Sequence, residues 1–351
     1  MTQKTQTLTF IRPDDWHLHL RDGAMLRTVL PYTIRQFGRA VIMPNLIPPI
    51  TTEAQAIAYR NQIMAAVPIG MKFTPLMTSY LTDESDPDVI QAGYHDGVFA
   101  AVKLYPANAT TNSDYGVSSL DNIRSVLARL EKIDMPLLVH GEEADPEIDI
   151  FDREAMFIDR VLSGLVRDYP ALRIVLEHIT TAEGVAFVKE HGANIAATIT
   201  PHHLIINRNA LLAGGIRPHM YCLPVAKRER HRLALRQVAA SGEASFFLGT
   251  DSAPHTISAK ETNCGCAGIF NAPNAIELYA QVFDEENALD QLEKFASLNG
   301  PAFYGLPPND TTITLTQKPF NVSADITVEG LDETLQPFLS GETLAWTLIE
   351  T

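Results

Sequence analysis

Two histidines and an arginine alternate in the stretch DDWHLHLRDG, residues 14–23. Successive side chains of an extended strand point to opposite faces. The spacing therefore predicts that His17, His19 and Arg21 share one face, and that Trp16, Leu18 and Leu20 share the other. Two imidazoles and a guanidinium make a poor packing face. Imidazole and carboxylate are what borderline divalent metals such as zinc take. Further polar residues follow short apolar runs: Asn45 after AVIMP, Lys103 after VFAAV, His140 after PLLV, His178 after RIVLE and Asp251 after FFLGT. Singly, each has an ordinary reading. Asp251 can cap a turn or a helix, and Lys103 can reach for solvent. Together those readings require a polar residue at the same end of five strands by accident.

Four histidines and one aspartate exceed one tetrahedral catalytic site with an open position. Two metals roughly 3.5–4 Å apart need a ligand between them, yet Lys103, not an acid, ends its run. An ammonium there would repel two cations. Burial favours the neutral amine, which can add carbon dioxide to give a bridging carbamate. A plain lysine beside one metal and a Schiff-base nucleophile are the other readings.

The elements that must position these residues are eight short apolar runs, at 14–19, 40–45, 72–77, 97–105, 136–141, 173–178, 194–199 and 245–250. Amphipathic stretches of helical length lie between them, as at 52–66, 119–133 and 152–168. Strands alternating with helices predict a parallel sheet covered by helices. Eight strands close a (β/α)8 TIM barrel, whose active site stands at the C-terminal ends of its strands. An open doubly wound sheet is the alternative, but no Gly-rich phosphate loop follows any strand. Residues 300–351 read as turns and short strands, a C-terminal extension packed on the barrel. The expectation is a single barrel domain over 1–351 with a candidate metal site at its mouth. PANATTNSDYG (106–116) is a long polar loop after the fourth strand, either a lid or a mobile turn.

A formal charge of −15 argues against nucleic acid or an anionic membrane as partner, so an anionic substrate must be attracted locally. The N-terminus lacks the apolar core of a signal peptide, and no run of 18 apolar residues occurs. Three cysteines make no disulfide framework, and a reduced cytoplasmic compartment is expected. Cys264 and Cys266 are read as structural, His202 and His203 as solvent-exposed, and His95, His191, His219 and His231 as lacking a converging partner.

The motifs PDDWHLHLRDG, MPNLIPP, KLYPANATTNS, PLLVHGE, LEHIT, LGTDSAPH and CGCAGIFNAP together resemble the amidohydrolase superfamily. More narrowly, they resemble its short, barrel-only dihydroorotases, over essentially the whole chain. His-x-His is shared across the superfamily; KLYPANATTNS and GTDSAPH are far more specific. The resemblance implies reversible cyclisation of N-carbamoyl-L-aspartate to L-dihydroorotate and water, in de novo pyrimidine biosynthesis. It implies a first metal held by His17, His19 and Asp251, and a second held by His140 and His178. Lys103, N-carboxylated, would bridge them. The metals would be two zinc ions, with other divalent metals possible. Asp251 would also exchange a proton with a bridging hydroxide as general base and acid. The substrate carboxylate would meet Arg21, Asn45 and His255, and the ring would meet backbone at Leu223 and Ala267. Thr110 and Thr111 would lie on a closing loop, and the assembly would be a homodimer. Hydantoinases and dihydropyrimidinases are the nearer rivals. They usually join chain before the His-x-His to a C-terminal segment in a small β-domain, for which His17 is expected to come too early. A non-catalytic scaffold is the other rival, opposed by the presence of all six ligands.

Overall fold

The computed structural model describes residues 6–349. Strand β1 (Thr7–Ile11) lies outside the main sheet. Then come β2 (Asp15–Leu18), β3 (Arg39–Ile42), β4 (Thr74–Tyr80), β5 (Phe99–Leu104), β6 (Leu137–His140), β7 (Ile174–Glu177), β8 (Ile195–Ile199) and β9 (Phe246–Leu248). These eight pair in sequence order, each parallel to the next. Parallel strands covered on both faces read as near-continuous apolar runs, and β6, β7, β8 and β9 are buried at every position. The ring closes just past β9. Leu18 bridges Ser252, the Asp251 N–H donates to the His17 carbonyl at 2.9 Å, and the His19 N–H donates to Ser252 at 3.2 Å.

Alternation sorts the side chains. Val41, Met43, Ala101, Leu138, Val175, Ala196 and Phe247 fill the barrel interior. Ile42, Val102, Val139, Leu176 and Leu248 face outward into the larger core beneath the helices. Helices such as Gly23–Gln36 and Glu53–Ala66 supply that cover. The second starts at a reciprocal Thr52–Gln55 cap, which satisfies two of the N–H groups a helix start leaves open.

Three sequence expectations change. Trp16 does not share a face with Leu18 and Leu20. The β2–β3 register shifts between Asp15 and Leu18, which turns Trp16 into the barrel interior while Leu18 and Leu20 pack outward. There Trp16 stacks on Tyr304, ring centroids 4.3 Å apart. Tyr304 ends the helix Asn299–Tyr304, so this helix plugs the barrel floor and the expected boundary at 300 falls inside it. The chain before His17 also joins a C-terminal segment after all. β1 pairs antiparallel with β10 (Thr312–Thr316), from Thr7 opposite Thr316 to Ile11 opposite Thr312, and β10 pairs in turn with Thr347–Ile349. Five residues are strand enough for this. Among the described residues no helix is long and apolar enough to cross a membrane.

Candidate active site

Strand parity delivers the first polar layer above the barrel interior. Two residues after Ala101 comes Lys103, two after Leu138 comes His140, and two after Val175 comes Glu177. Each is at most 1% exposed. His178 and Asp251 have the wrong parity or position to point inward from a regular strand. Both adopt left-handed backbone, with φ of 43° and 44°, as does Arg21 at 59°. Non-glycine residues avoid this region, at a cost of about 1–3 kcal/mol each. Here it turns three side chains into one mouth.

His17 Nε2, His19 Nε2 and Asp251 Oδ1 lie 3.2 to 3.3 Å from one another. Donors of a tetrahedral metal at about 2.1 Å are roughly 3.4 Å apart, so this trio fits one divalent cation. The neighbouring groups act on the three donors differently. Burial opposes charge on His17, but Glu177 and Asp251 together raise its pKa to about 9. Burial lowers His19 to about 4, leaving it neutral with a lone pair to give. Asp251 stays ionised: burial opposes it, and His17 and His19 outweigh burial.

The other residues expected to hold a metal are less assembled. The ring of His178 stands 4.8 Å from those of His17 and His140, and its buried Nδ1 has no partner. His140 Nε2 is instead 2.9 Å from Glu142 Oε2. Lys103 Nζ contacts the Glu177 carboxylate. Burial lowers the Lys103 pKa, with Glu177 opposing. Above these residues a cavity of about 30 Å³ is lined by His17, His19, His140, His178 and Asp251, and also by Arg21, Asn45, Tyr105, Thr110, Thr111, Leu223 and Ala267. His255 stands behind the wall, with Nε2 3.0 Å from a terminal nitrogen of Arg21. Arg21 Nε donates to the Pro254 carbonyl at 3.2 Å.

The 106–116 loop lies over this cavity. Asn45 donates to the Thr111 carbonyl at 3.1 Å, Asn112 donates to the Asn45 carbonyl at 3.0 Å, and the Thr111 hydroxyl reaches the Ala267 carbonyl at 3.4 Å. The space left beneath the loop has room for a water or two.

Sequence reasoning missed Glu177, Glu142 and Asp15. Glu177 carried a signal: it has the inward parity of Val175, but His178 drew the attention. Asp15 accepts from the Thr250 N–H at 2.8 Å and from the Thr250 hydroxyl, tying β2 to the Asp251 turn. Two readings were wrong. His202 and His203 are buried, because the helix Pro201–Ile205 packs inward beneath its Thr200 cap. They cluster with Cys222. However, His203 Nε2 lies 2.9 Å from the Pro224 carbonyl and must carry the hydrogen, while Nδ1 takes the Thr200 hydroxyl, so His203 has no lone pair free for a metal. His231 and His219 do have partners: the Ala182 N–H at 3.0 Å and Glu261 at 2.9 Å.

Buried imidazole and carboxylate donors gather at the C-terminal mouth of a (β/α)8 barrel in an arrangement that could hold a divalent cation, and residues 7–314 match the Amidohydrolase family. The dihydroorotase of Aromatoleum aromaticum is 59% identical over 345 residues, 98% of this chain and all of that protein. Dihydroorotase from Saccharomyces cerevisiae, solved in complex with 5-fluoroorotic acid, superposes with a TM-score of 0.90 at 34% identity, covering 98% of each chain. The Campylobacter jejuni dihydroorotase gives 0.89 at 36% identity, covering 99% of each. The chain belongs to the amidohydrolase family, in its dihydroorotase branch.

Proposed function

We propose that the protein catalyses the reversible ring closure of N-carbamoyl-L-aspartate to L-dihydroorotate and water, as its dihydroorotase relatives are named for. One observation carries this reading: a donor trio sized for a divalent cation shares a single cavity with the guanidinium of Arg21. A cationic anchor beside a metal site suits a cyclic amide that bears a carboxylate. Hydantoin and dihydrouracil bear none.

His17, His19 and Asp251 would hold one divalent cation, with His140 and His178 holding a second. Lys103, as the neutral amine that burial favours, would lose a proton and gain carbon dioxide at Nζ to bridge them. Zinc is the metal this donor set suits best. When bound, the pair would acidify a water and polarise the ring carbonyl. In the hydrolytic direction water adds to the ring carbonyl carbon, and Asp251 takes its proton and passes it to the departing amide nitrogen. In the synthetic direction Asp251 runs the same transfer backwards. Arg21, Asn45 and His255 would bind the substrate carboxylate, and peptide groups at Leu223 and Ala267 would meet the ring. Thr110 and Thr111 would close over it. The reaction belongs to pyrimidine synthesis in the cytoplasm, and the working form is a homodimer, which sedimentation would check. Assays on carbamoyl aspartate, dihydroorotate, hydantoin and dihydrouracil test the whole reading. Turnover of the first two is expected. Turnover of hydantoin or dihydrouracil alone, or of none, would overturn it.

A further inference from the structure

Lys260 is 4% exposed, and no carboxylate is among its hydrogen-bond partners. Its Nζ donates to three backbone carbonyls: Tyr221 at 3.2 Å, Cys266 at 2.9 Å and Gly268 at 2.6 Å. An ammonium has three hydrogens, and each finds one acceptor. Burial lowers the pKa of Lys260 to about 8, which leaves the group charged at neutral pH. Tyr221 lies two residues before Leu223, and Cys266 and Gly268 flank Ala267. Leu223 and Ala267 both line the active-site cavity. One ammonium therefore ties together the two stretches of main chain that face the substrate space.

The surroundings leave these stretches little slack. The Gly268 N–H donates to the Tyr221 carbonyl at 3.0 Å, and the Cys266 N–H donates to Ala259 at 3.1 Å. A Cβ at Gly265 would stand 2.2 Å from the Lys260 carbonyl oxygen, so the 264–268 segment presses directly on the helix that carries the lysine. The Ala267 carbonyl, held between two clamped neighbours, is also the one that Thr111 of the covering loop reaches.

We propose that Lys260 is a positioning residue for the substrate ring: a buried ammonium clamp that sets the spacing between the peptide groups of Leu223 and Ala267. Main chain can read the N–H and C=O groups of a ureide ring only if that spacing is held. The clamp also fixes where the covering loop lands. This inference rests on the assignment of Leu223 and Ala267 as ring contacts.

The test compares Lys260→Met, which keeps length but loses every donor, with Lys260→Arg, which keeps the charge in a wider fork. Metal per chain, KM and kcat for dihydroorotate are measured on each. Lys260→Met is expected to raise KM about tenfold, the size of one lost charged hydrogen bond, with metal content unchanged and kcat changed far less. Lys260→Arg should fall between the two. A purely structural role would lower the active fraction, and so apparent kcat, without moving KM. If the Met variant does not fold, the Arg variant decides. A KM raised roughly threefold or more supports the clamp, and an unchanged KM overturns it. An unsubstituted protein that fails to turn over dihydroorotate would instead overturn the assigned reaction, and this inference with it.

Discussion

Glu177 Oε1 lies 2.9 Å from His17 Nδ1. If Nδ1 carries the hydrogen, His17 Nε2 is left with its lone pair aimed at His19 and Asp251, which is how carboxylate partners of histidine ligands set the tautomer and raise basicity. Glu177→Gln keeps the shape and removes the charge. Metal affinity should fall about 10- to 100-fold, measured by competition with a coloured chelator; unchanged affinity would make Glu177 a spectator. Arg21 makes a different prediction. Arg21→Met keeps most of the stem but strips the carboxylate partner, a loss on the order of 2–5 kcal/mol when the other charge stays buried. Efficiency on dihydroorotate should collapse while any slow turnover of dihydrouracil persists. Equal losses on both would make Arg21 a framework residue, through its bonds to Pro254 and His255. In the proposed reaction Asp251 is both metal ligand and proton carrier. Asp251→Asn keeps an oxygen for a metal but cannot accept a proton, so turnover should fall roughly 10²- to 10⁴-fold in both directions. Metal per chain, read on the same sample, should fall less than in His17→Ala. Near-normal turnover at full metal content would assign the proton to another group.

The strand ends do work that the strands cannot. A regular β7 would present Glu177 inward and send His178 outward. The left-handed turn at His178 brings both into the mouth, and the same device at Asp251 and Arg21 completes the set. Strain of this kind persists only where the surroundings over-determine it. At Asp251 they do: Thr250 is bound through its N–H and hydroxyl to Asp15, and the Asp251 N–H is bound to His17. The barrel floor matters as much. Trp16, the residue before His17, sits on the terminal helix so closely that a Cβ at Gly300 would stand 2.0 Å from its Nε1. Gly300→Ala should therefore push Trp16 upward or the helix away, costing about 1–3 kcal/mol as overpacked cores do. A lower urea midpoint with an unchanged slope is expected. An unaltered midpoint would mean that this helix can shift freely.

For the molecule as a whole, the expected metal content is two divalent ions per chain, measured by elemental analysis of protein purified without chelator. Stripping them should lower the thermal midpoint, because a ligand that binds only the folded chain stabilises it, by about 2.7 kcal/mol at a hundred times its Kd. Full activity at one ion per chain would defeat the two-metal reading. The barrel itself was legible from eight apolar runs alternating with helices, because burial on both sheet faces writes continuous apolar segments into the sequence. Lys103 and His140 were legible as polar residues closing such runs, and Asn45 and Asp251 as polar residues just beyond them. His202 and His203 were misread, since nothing local says whether a histidine after a strand faces water or a packed helix. Trp16 was misplaced because a one-residue register shift exchanges the faces of a strand. The small sheet that joins β1 to β10 was missed because its partners are some 300 residues apart, with weak local patterns at both ends. The sequence by itself determined residue types, their order and their spacing along each strand, and with these the donor inventory. Tertiary structure alone decided which donors converge, because convergence depends on backbone turns such as those at Arg21, His178 and Asp251. Contacts across the closed ring hold those turns, and local preference opposes them.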